Sequence, residues 1–324
     1  VHDHYFGLDE HYNFLDLDIM AAGPVVAEVS DGFDLFWNSA KAYPGALLSR
    51  RAKPEHLQEV RESLGASLAE HRTGKLRQFP IEPKDWSRDL ARLSSLMATG
   101  RGQFLQDHPD PELDDREVVS ALRDMTRNKT GELIFVSPYL IPSKGAIERL
   151  REGVEAGIDV AILAPTLASN NQPLAHSHYK KKRKPIVRTG ARLFELRADP
   201  SETVRDLADT DPVRSEIISL HSKAVVGDRA RCFVGSLNLD PRSIDINTEM
   251  GLLIKSPEMA APMSDASVTR LPEMAYRVKM DEAGKLSWHA MIDGKEVVET
   301  KEPQTSGWKR FESWFMKIAP EKQL

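Results

Sequence analysis

Residues 221–238 read His221-Ser222-Lys223-Ala224-Val225-Val226-Gly227-Asp228-Arg229-Ala230-Arg231-Cys232-Phe233-Val234-Gly235-Ser236-Leu237-Asn238. The pattern is H-x-K-x4-D-x6-G-S-x-N, and with average residue usage a chance match is roughly one in ten million per starting position. Leu220 to Val226 and Arg231 to Val234 read as an antiparallel pair turned at Gly227-Asp228. His221 and Lys223, two apart on a strand, project from one face. Ser236 and Asn238 are again two apart, on or beyond the returning strand. The hairpin thus brings an imidazole, an ammonium, a hydroxyl and an amide to one end of a sheet, with Asp228 at the turn. Those groups suit a phosphodiester. Imidazole attacks phosphorus and leaves again, while Lys223 and Asn238 hold the non-bridging oxygens. Glu249, heading a further strand to Ile254, is placed to accept the other imidazole N–H and fix the tautomer.

Working outward, residues 113–196 alternate helix and strand. Helices are expected over 114–128, 144–156 and 174–189. Apolar strands are expected at Glu132–Ser137, Ile158–Leu163 and Ala191–Leu196. Such alternation implies βαβ units and a largely parallel sheet, an α/β fold. After 269 the pattern becomes a meander of short strands at Tyr276–Met280, Leu286–Met291 and Glu296–Thr300. It closes on a helix carrying Trp308, Phe311, Trp314, Phe315 and Ile318 on one stripe. Toward the N-terminus, a strand from Leu15 to Met20 leads through Gly23-Pro24 into a helix with Val25, Val26, Val29, Phe33, Phe36 and Trp37 on one face. Residues 46–112 are more polar and read as a connector, with a helix from Pro54 to His71.

An internal repeat is visible. Glu249 to Pro257 and Asp16 to Pro24 both run acidic residue, apolar strand, small residue, then Pro opening a helix. Strand–Pro–helix junctions are also generic. If the two are homologous, Asp16 occupies the position of Glu249. A first motif is then expected immediately before Val1.

The motif at 221–238 resembles the catalytic signature of the phospholipase D superfamily. Ser137-Pro138-Tyr139-Leu140-Ile141-Pro142, Asn170-Asn171 with His176 and Tyr179, and Glu302-Pro303 with Trp308 extend the likeness to the bacterial cardiolipin synthase (C-type) branch. So does Tyr5-Phe6 with Phe14 to Asp18 and Ala22-Gly23-Pro24. The resemblance covers nearly the whole chain and is weakest over 46–112. It implies an α-β-α sandwich: the end of a first repeat over 1–45, a connector over 46–112, a second repeat with the motif over 113–268, and a β-meander with an amphipathic helix over 269–324. It also implies His221, Lys223, Asp228, Ser236, Asn238 and Glu249 as catalytic residues, one histidine becoming a phosphohistidine while the other motif's protonates the leaving alcohol. No metal or other cofactor enters that scheme. The implied reaction is phosphatidyl transfer between phospholipids, making cardiolipin from phosphatidylglycerol and a second phospholipid. Family enzymes use two motifs and this sequence shows one. A missing first repeat or a homodimer mate is expected to complete the site, and little transferase activity is expected of the 324 residues alone.

The remaining signals are broader. His176, Tyr179 and Arg183, beside the basic run Lys180 to Lys184, are expected with Asp16 to bind substrate, as a cationic funnel for phosphate headgroups; a solvated basic helix face fits the same run. His2 and His4 fall where they would line the site. The aromatic closing helix fits membrane-interface contact or simple packing on its own domain. No run of 18 apolar residues exists, so peripheral attachment to a bacterial membrane is expected. Hydrophobic content of 40%, charged content of 29% and net charge of -5 fit a globular chain and disfavour wholesale nucleic-acid binding. Cys232, the one cysteine, reads as a buried core thiol. A phosphodiesterase or nuclease of the same superfamily, or a non-catalytic headgroup-binding remnant, are the alternatives.

Overall fold

The strand–helix alternation builds the centre of one mixed sheet. The computed structural model describes residues 2–48, 54–73, 85–113, 115–127 and 131–305; the expected closing helix lies outside them. In chain order the elements are β1 (Tyr12–Leu15), α1 (Val25–Trp37), α2 (Gly45–Leu48), α3 (Pro54–Thr73), α4 (Ser87–Leu96), β2 (Arg101–Gln106), α5 (Glu117–Thr126), β3 (Glu132–Val136), α6 (Lys144–Glu155), β4 (Asp159–Pro165), α7 (Pro173–Arg188), β5 (Arg192–Leu196), α8 (Glu202–Ala208), β6 (Ile217–Leu220), β7 (Ala224–Gly227), β8 (Arg231–Gly235), α9 (Pro241–Asp245), β9 (Met250–Lys255), α10 (Pro257–Thr269), α11 (Leu271–Met274), β10 (Ala275–Met280), β11 (Leu286–Ile292) and β12 (Lys295–Glu299). The large sheet runs β12-β11-β10-β5-β4-β3-β7-β8-β9-β2, and β1 pairs with β6 in a separate small sheet.

Parallel pairing joins β3, β4 and β5, whose connections α6 and α7 run back over one face. Side chains alternate across the sheet, and the core follows that period. Leu133, Val160, Ile162 and Leu193 gather with Ile186 of α7 on one side. Ile134, Leu163, Leu196, Val226 and Cys232 gather on the other, with Ala260 of α10 and Leu271 of α11. In β7 and β8 the next residues over, Val225 and Phe233, turn instead to α5 and its Val118, Val119, Leu122 and Met125. Burying a ring such as Phe233 contributes about 1.5–3 kcal/mol. Helices therefore cover both faces, giving an α-β-α sandwich.

Several expectations change. The strand expected over Leu15–Met20 forms earlier, at Tyr12–Leu15, because those residues pair in parallel with Ile217–Leu220. The strand expected over Leu220–Val226 is broken: β6 belongs to the small sheet and β7 to the large one. The break falls on residues 221–223, so His221 and Lys223 leave regular structure as the chain passes between sheets. The polar connector contributes β2, which pairs with β9 at the sheet edge. The meander continues the large sheet, because β10 pairs with β5. Finally, the apolar face of α1 stays open among the described residues, with Val26 45%, Phe33 60% and Trp37 69% exposed. Its opposite side lies on β2, where Glu28 Oε2 accepts from Phe104 N at 2.8 Å.

Candidate active site

The crossing between sheets positions the imidazole. Leu15 O, at the end of β1, accepts from His221 N at 3.0 Å and from Ser222 N at 3.1 Å. Ser222 Oγ donates to the same carbonyl at 2.8 Å. Asp16 follows Leu15 directly, and its Oδ2 stands 2.6 Å from His221 Nδ1. The Phe14 ring stacks on the imidazole at 4.5 Å, and Tyr5 meets it edge-on at 5.3 Å. These contacts hold both the plane and the tautomer. A carboxylate accepting at Nδ1 puts the ring proton there and leaves a lone pair on Nε2. Lys223 Nζ lies 3.3 Å from Nε2 and donates to His221 O at 2.6 Å.

Burial would raise the Asp16 carboxyl, but the hydrogen bond and charge of His221, with Leu17 N and Lys223 adding, outweigh it and hold it below its ordinary value. Burial dominates at Lys223 and lowers its ammonium, although the Asp16 and Glu249 carboxylates oppose it. The same two carboxylates act on one ammonium, so Lys223 sits electrostatically between Asp16 and Glu249.

The returning strand brings a second set of groups. Gly235 must be a glycine here: a Cβ would fall 2.7 Å from Gly251 Cα and against the carbonyl of Met250. That close approach carries Ser236 across to β9, where its hydroxyl donates a short hydrogen bond to Glu249 Oε2. Asn247 Nδ2 donates to Glu249 Oε1 at 3.2 Å. Asn238 Nδ2 reaches Ser243 Oγ at 3.3 Å, while its Oδ1 is buried and has no hydrogen-bond partner. Sequence reasoning missed Asp107, a buried residue. Its carboxylate accepts from Glu249 N at 3.0 Å and Val118 N at 3.1 Å, tying the Glu249 backbone to the first turn of α5. The one available signal was an acidic residue ahead of a helix start, which many caps share.

Three site expectations are corrected. Glu249 does not hold His221; Asp16 does, because β1 lies against β6 while Glu249 faces Ser236. Asp228 is at the turn as read from the sequence, but apart from the imidazole that its implied catalytic role would have it serve. It occupies the β7–β8 turn, five residues along the hairpin from Lys223, about 16 Å away at strand rise. There its Oδ1 accepts from Gly131 N at 3.1 Å, a turn role.

The third correction concerns α7. His176, Tyr179 and Arg183 form no solvent-reaching funnel; they are 0%, 2% and 1% exposed. Arg183 Nε donates to Glu195 Oε1 at 2.5 Å and its Nη2 to Glu302 Oε1 at 2.7 Å. Tyr179 Oη donates to Glu195 Oε1 at 2.5 Å, and Trp288 Nε1 to Glu195 Oε2 at 2.8 Å. His176 Nε2 is 2.6 Å from Glu302 Oε1. Burial lowers this imidazole against the pull of Glu302, and Arg183 Nη2 stands 3.0 Å from the same Nε2. The cations pair internally with two carboxylates from other elements, which a reading of one helix could not see. His4 stacks on Tyr12 at 4.0 Å, one ring removed from His221, and His2 lies beyond it at 5.8 Å from His4. Among the described residues, no group of three or more His, Cys, Asp or Glu is arranged to hold a metal ion.

Comparison with known proteins gives this arrangement a lineage. A family model described as the PLD-like domain of cardiolipin synthase matches residues 122–266. The chain is 30% identical over 332 residues to cardiolipin synthase C of Escherichia coli K12, covering 100% of this chain and 69% of that protein. It is 26% identical over 336 residues to an uncharacterized protein of Helicobacter pylori, covering all of this chain and 63% of the other. The chain thus spans about two thirds of the length of these relatives. Among solved structures, Nuc of Salmonella typhimurium, a phospholipase D family member, aligns with a TM-score of 0.39 and 15% identity, over 55% of this chain and 99% of Nuc. The chain belongs to the phospholipase D superfamily, in its cardiolipin synthase branch.

Proposed function

We propose that this chain carries half of an active site for phosphatidyl transfer between phospholipids, forming cardiolipin through a phosphohistidine on His221. His221 Nε2 attacks phosphorus, and the P–O bond to the leaving alcohol breaks. That alcohol takes its proton from a second acid, the histidine of another motif copy outside residues 1–324 or His221 of a second molecule. An incoming lipid hydroxyl then attacks phosphorus, loses its proton to the same group, and frees Nε2. Lys223 and Asn238 hold the non-bridging oxygens as charge shifts, while Ser236 donates to Glu249. Asp16 keeps the proton on Nδ1, which stabilises the cationic ring that forms. Glu249 stands in the position equivalent to Asp16 and serves the second histidine.

The observation that carries this reading is the contact of Asp16 and Lys223 with the His221 ring. A carboxylate at 2.6 Å from Nδ1 and an ammonium beside the ring, 3.3 Å from Nε2 and 3.4 Å from Nδ1, suit an imidazole that meets an anion. The substrates are phosphatidylglycerol and a second phospholipid, met at the surface of a bacterial membrane. No described helix is long and apolar enough to cross one. The test is transfer from labelled phosphatidylglycerol in vesicles, by the chain together with a protein supplying the second motif. Label should move to cardiolipin, and His221→Ala should abolish transfer. Cleavage of DNA without transfer to lipid would instead establish the nuclease reading.

A further inference from the structure

The polar connector carries a surface that the transfer chemistry does not use. Residues 72–101 hold seven Lys or Arg against three Asp or Glu, in a chain of net charge -5. Within them, Trp86, Leu90 and Leu93 are spaced by four and three residues, which puts them on one stripe of α4. Arg88 and Arg92 stand on the opposite side of the helix. Trp86, Leu90, Leu93 and Leu96 are 40% to 71% exposed, and no residue of α4 is buried. An amphipathic helix thus presents its apolar side outward.

The loop after α4 is pinned to a corner of the large sheet. Thr99 O accepts from Ser256 Oγ at 2.6 Å, and Thr99 N donates to Glu258 Oε2 at 3.0 Å. At that corner three cations stand side by side. Arg101 of β2 is the register partner of Lys255 in β9, and Lys255 that of Arg231 in β8. Direct partners in an antiparallel pair project from one face with Cβ atoms about 5 Å apart, and like charges so placed destabilise the sheet. Arg229 is neutralised by Asp265 at 2.7 Å, but among the described residues no carboxylate pairs with Arg101, Lys255 or Arg231. Arg101 and Lys255 are exposed and, with Gln103 and Leu253, line a cleft of about 130 Å³. An anion seated over the row relieves a repulsion that the fold leaves in place.

We propose that α4 and the row Arg101–Lys255–Arg231 form a docking surface for an anionic bilayer, with the Trp–Leu stripe in the interface and the row over phosphate headgroups. An exposed apolar stripe joined to a basic patch fits that occupant on both counts. Nucleic acid would meet the charges and leave the stripe uncovered. The choice of a lipid surface rests on the transfer reading above, but the surface itself lies apart from His221. From Glu249 to Lys255 along β9 is six residues, roughly 20 Å at strand rise, so these side chains can be changed without touching the reacting groups.

Cosedimentation of the 324-residue chain with vesicles measures this without turnover. The chain should bind vesicles of phosphatidylcholine mixed with phosphatidylglycerol, bind phosphatidylcholine alone far more weakly, and lose binding as salt rises. The double variant Leu90→Ser, Leu93→Ser should weaken binding by about tenfold or more. Arg101→Gln and Lys255→Gln should each weaken it by about fivefold at low salt, with the difference fading at high salt. All four positions are exposed, so the variants should keep the parent melting temperature. Trp86→Phe should remove part of the tryptophan quenching caused by lipids brominated on their acyl chains. His221→Ala should bind as the parent does, which separates this surface from the fate of the phosphohistidine. Parent-like binding by both the α4 and the row variants, equal binding to the two vesicle types, or tighter binding to duplex DNA than to the vesicles would overturn the proposal.

Discussion

Glu302 is 6% exposed, and three groups converge on it: Arg183, His176 and Lys180, the last at 2.8 Å. It fixes the segment after β12 against α7, so Glu302→Gln probes whether this cluster holds the fold. Removing one partner of a buried pair typically costs about 3–5 kcal/mol. Arg183 keeps Glu195, and glutamine keeps one acceptor oxygen, which places this variant near about 3 kcal/mol. An unfolding entropy of about 2.1 cal/mol/K per residue over 324 residues turns that into a melting temperature roughly 4 °C lower. Arg183→Met leaves two buried carboxylates without their shared cation, and should cost about 5 kcal/mol, roughly 7 °C. The double variant should lose less than the sum, by at least about 1 kcal/mol of coupling. Burial alone would raise the Glu302 carboxyl, but Arg183, His176 and Lys180 hold it far below its ordinary value of 4.5. Its contribution is therefore fully present above pH 4.5 and is lost only as pH falls toward the depressed value. The deficit of Glu302→Gln should accordingly be constant from about pH 5 to 8 and shrink in strong acid. Thermal unfolding followed by circular dichroism measures all three variants. A Glu302→Gln melting temperature within about 1 °C of the parent would refute the reasoning.

Other outcomes follow from the same geometry. Asp16→Asn replaces the carboxylate at His221 Nδ1 by a neutral amide that can turn a donor toward the ring, and should lower transfer by about a hundredfold or more, with the melting temperature little changed; the corresponding Glu249→Gln variant should leave the His221 Nδ1 proton resonance in place. With the Lys223 ammonium lowered by burial, its activity should fall on the alkaline side below 10.5, and Lys223→Arg should move that limb upward in a pH–rate profile. Asp16 is held below 3.8, so its protonation should not limit activity until the medium is more acid than that. Burial pushes the Cys232 thiol up to about 11, and native protein at pH 7 should react with a thiol reagent only as fast as it unfolds. Gly235→Ala should destabilise by about 1–3 kcal/mol through overpacking against β9, and should shift Ser236 away from Glu249.

Local periodicity made the centre of the fold legible. The helices at 144–155 and 173–188 and strands β3 to β5 fall where apolar spacing and Gly/Pro punctuation put them, because each satisfies its backbone within one segment or a βαβ neighbour. What stayed hidden depends on pairing across long sequence distances. Nothing near Tyr12 announces that it will lie beside Ile217, and only that pairing brings Asp16, rather than Glu249, to His221. Likewise Lys180 and Arg183 read as a solvated or ligand-facing stripe until Glu195 and Glu302 arrive from other elements. The motif disclosed the chemistry because its residue types are few and their spacing is rare. It also placed Asp228 at the turn, while the distance of that turn from His221 depends on strand lengths that only the folded sheet settles.

A bond between His221 Nε2 and phosphorus is the step on which the proposed transfer depends. The direct measurement is to mix the chain and its second-motif partner with phosphatidylglycerol vesicles, quench during turnover at alkaline pH where phosphohistidine survives, and map the modified peptide by mass spectrometry. A phosphatidyl group is expected on the peptide containing His221, absent in His221→Ala and increased when the incoming alcohol is withheld. Efficient transfer with no adduct on His221, or with the adduct confined to the other motif's histidine, would contradict it.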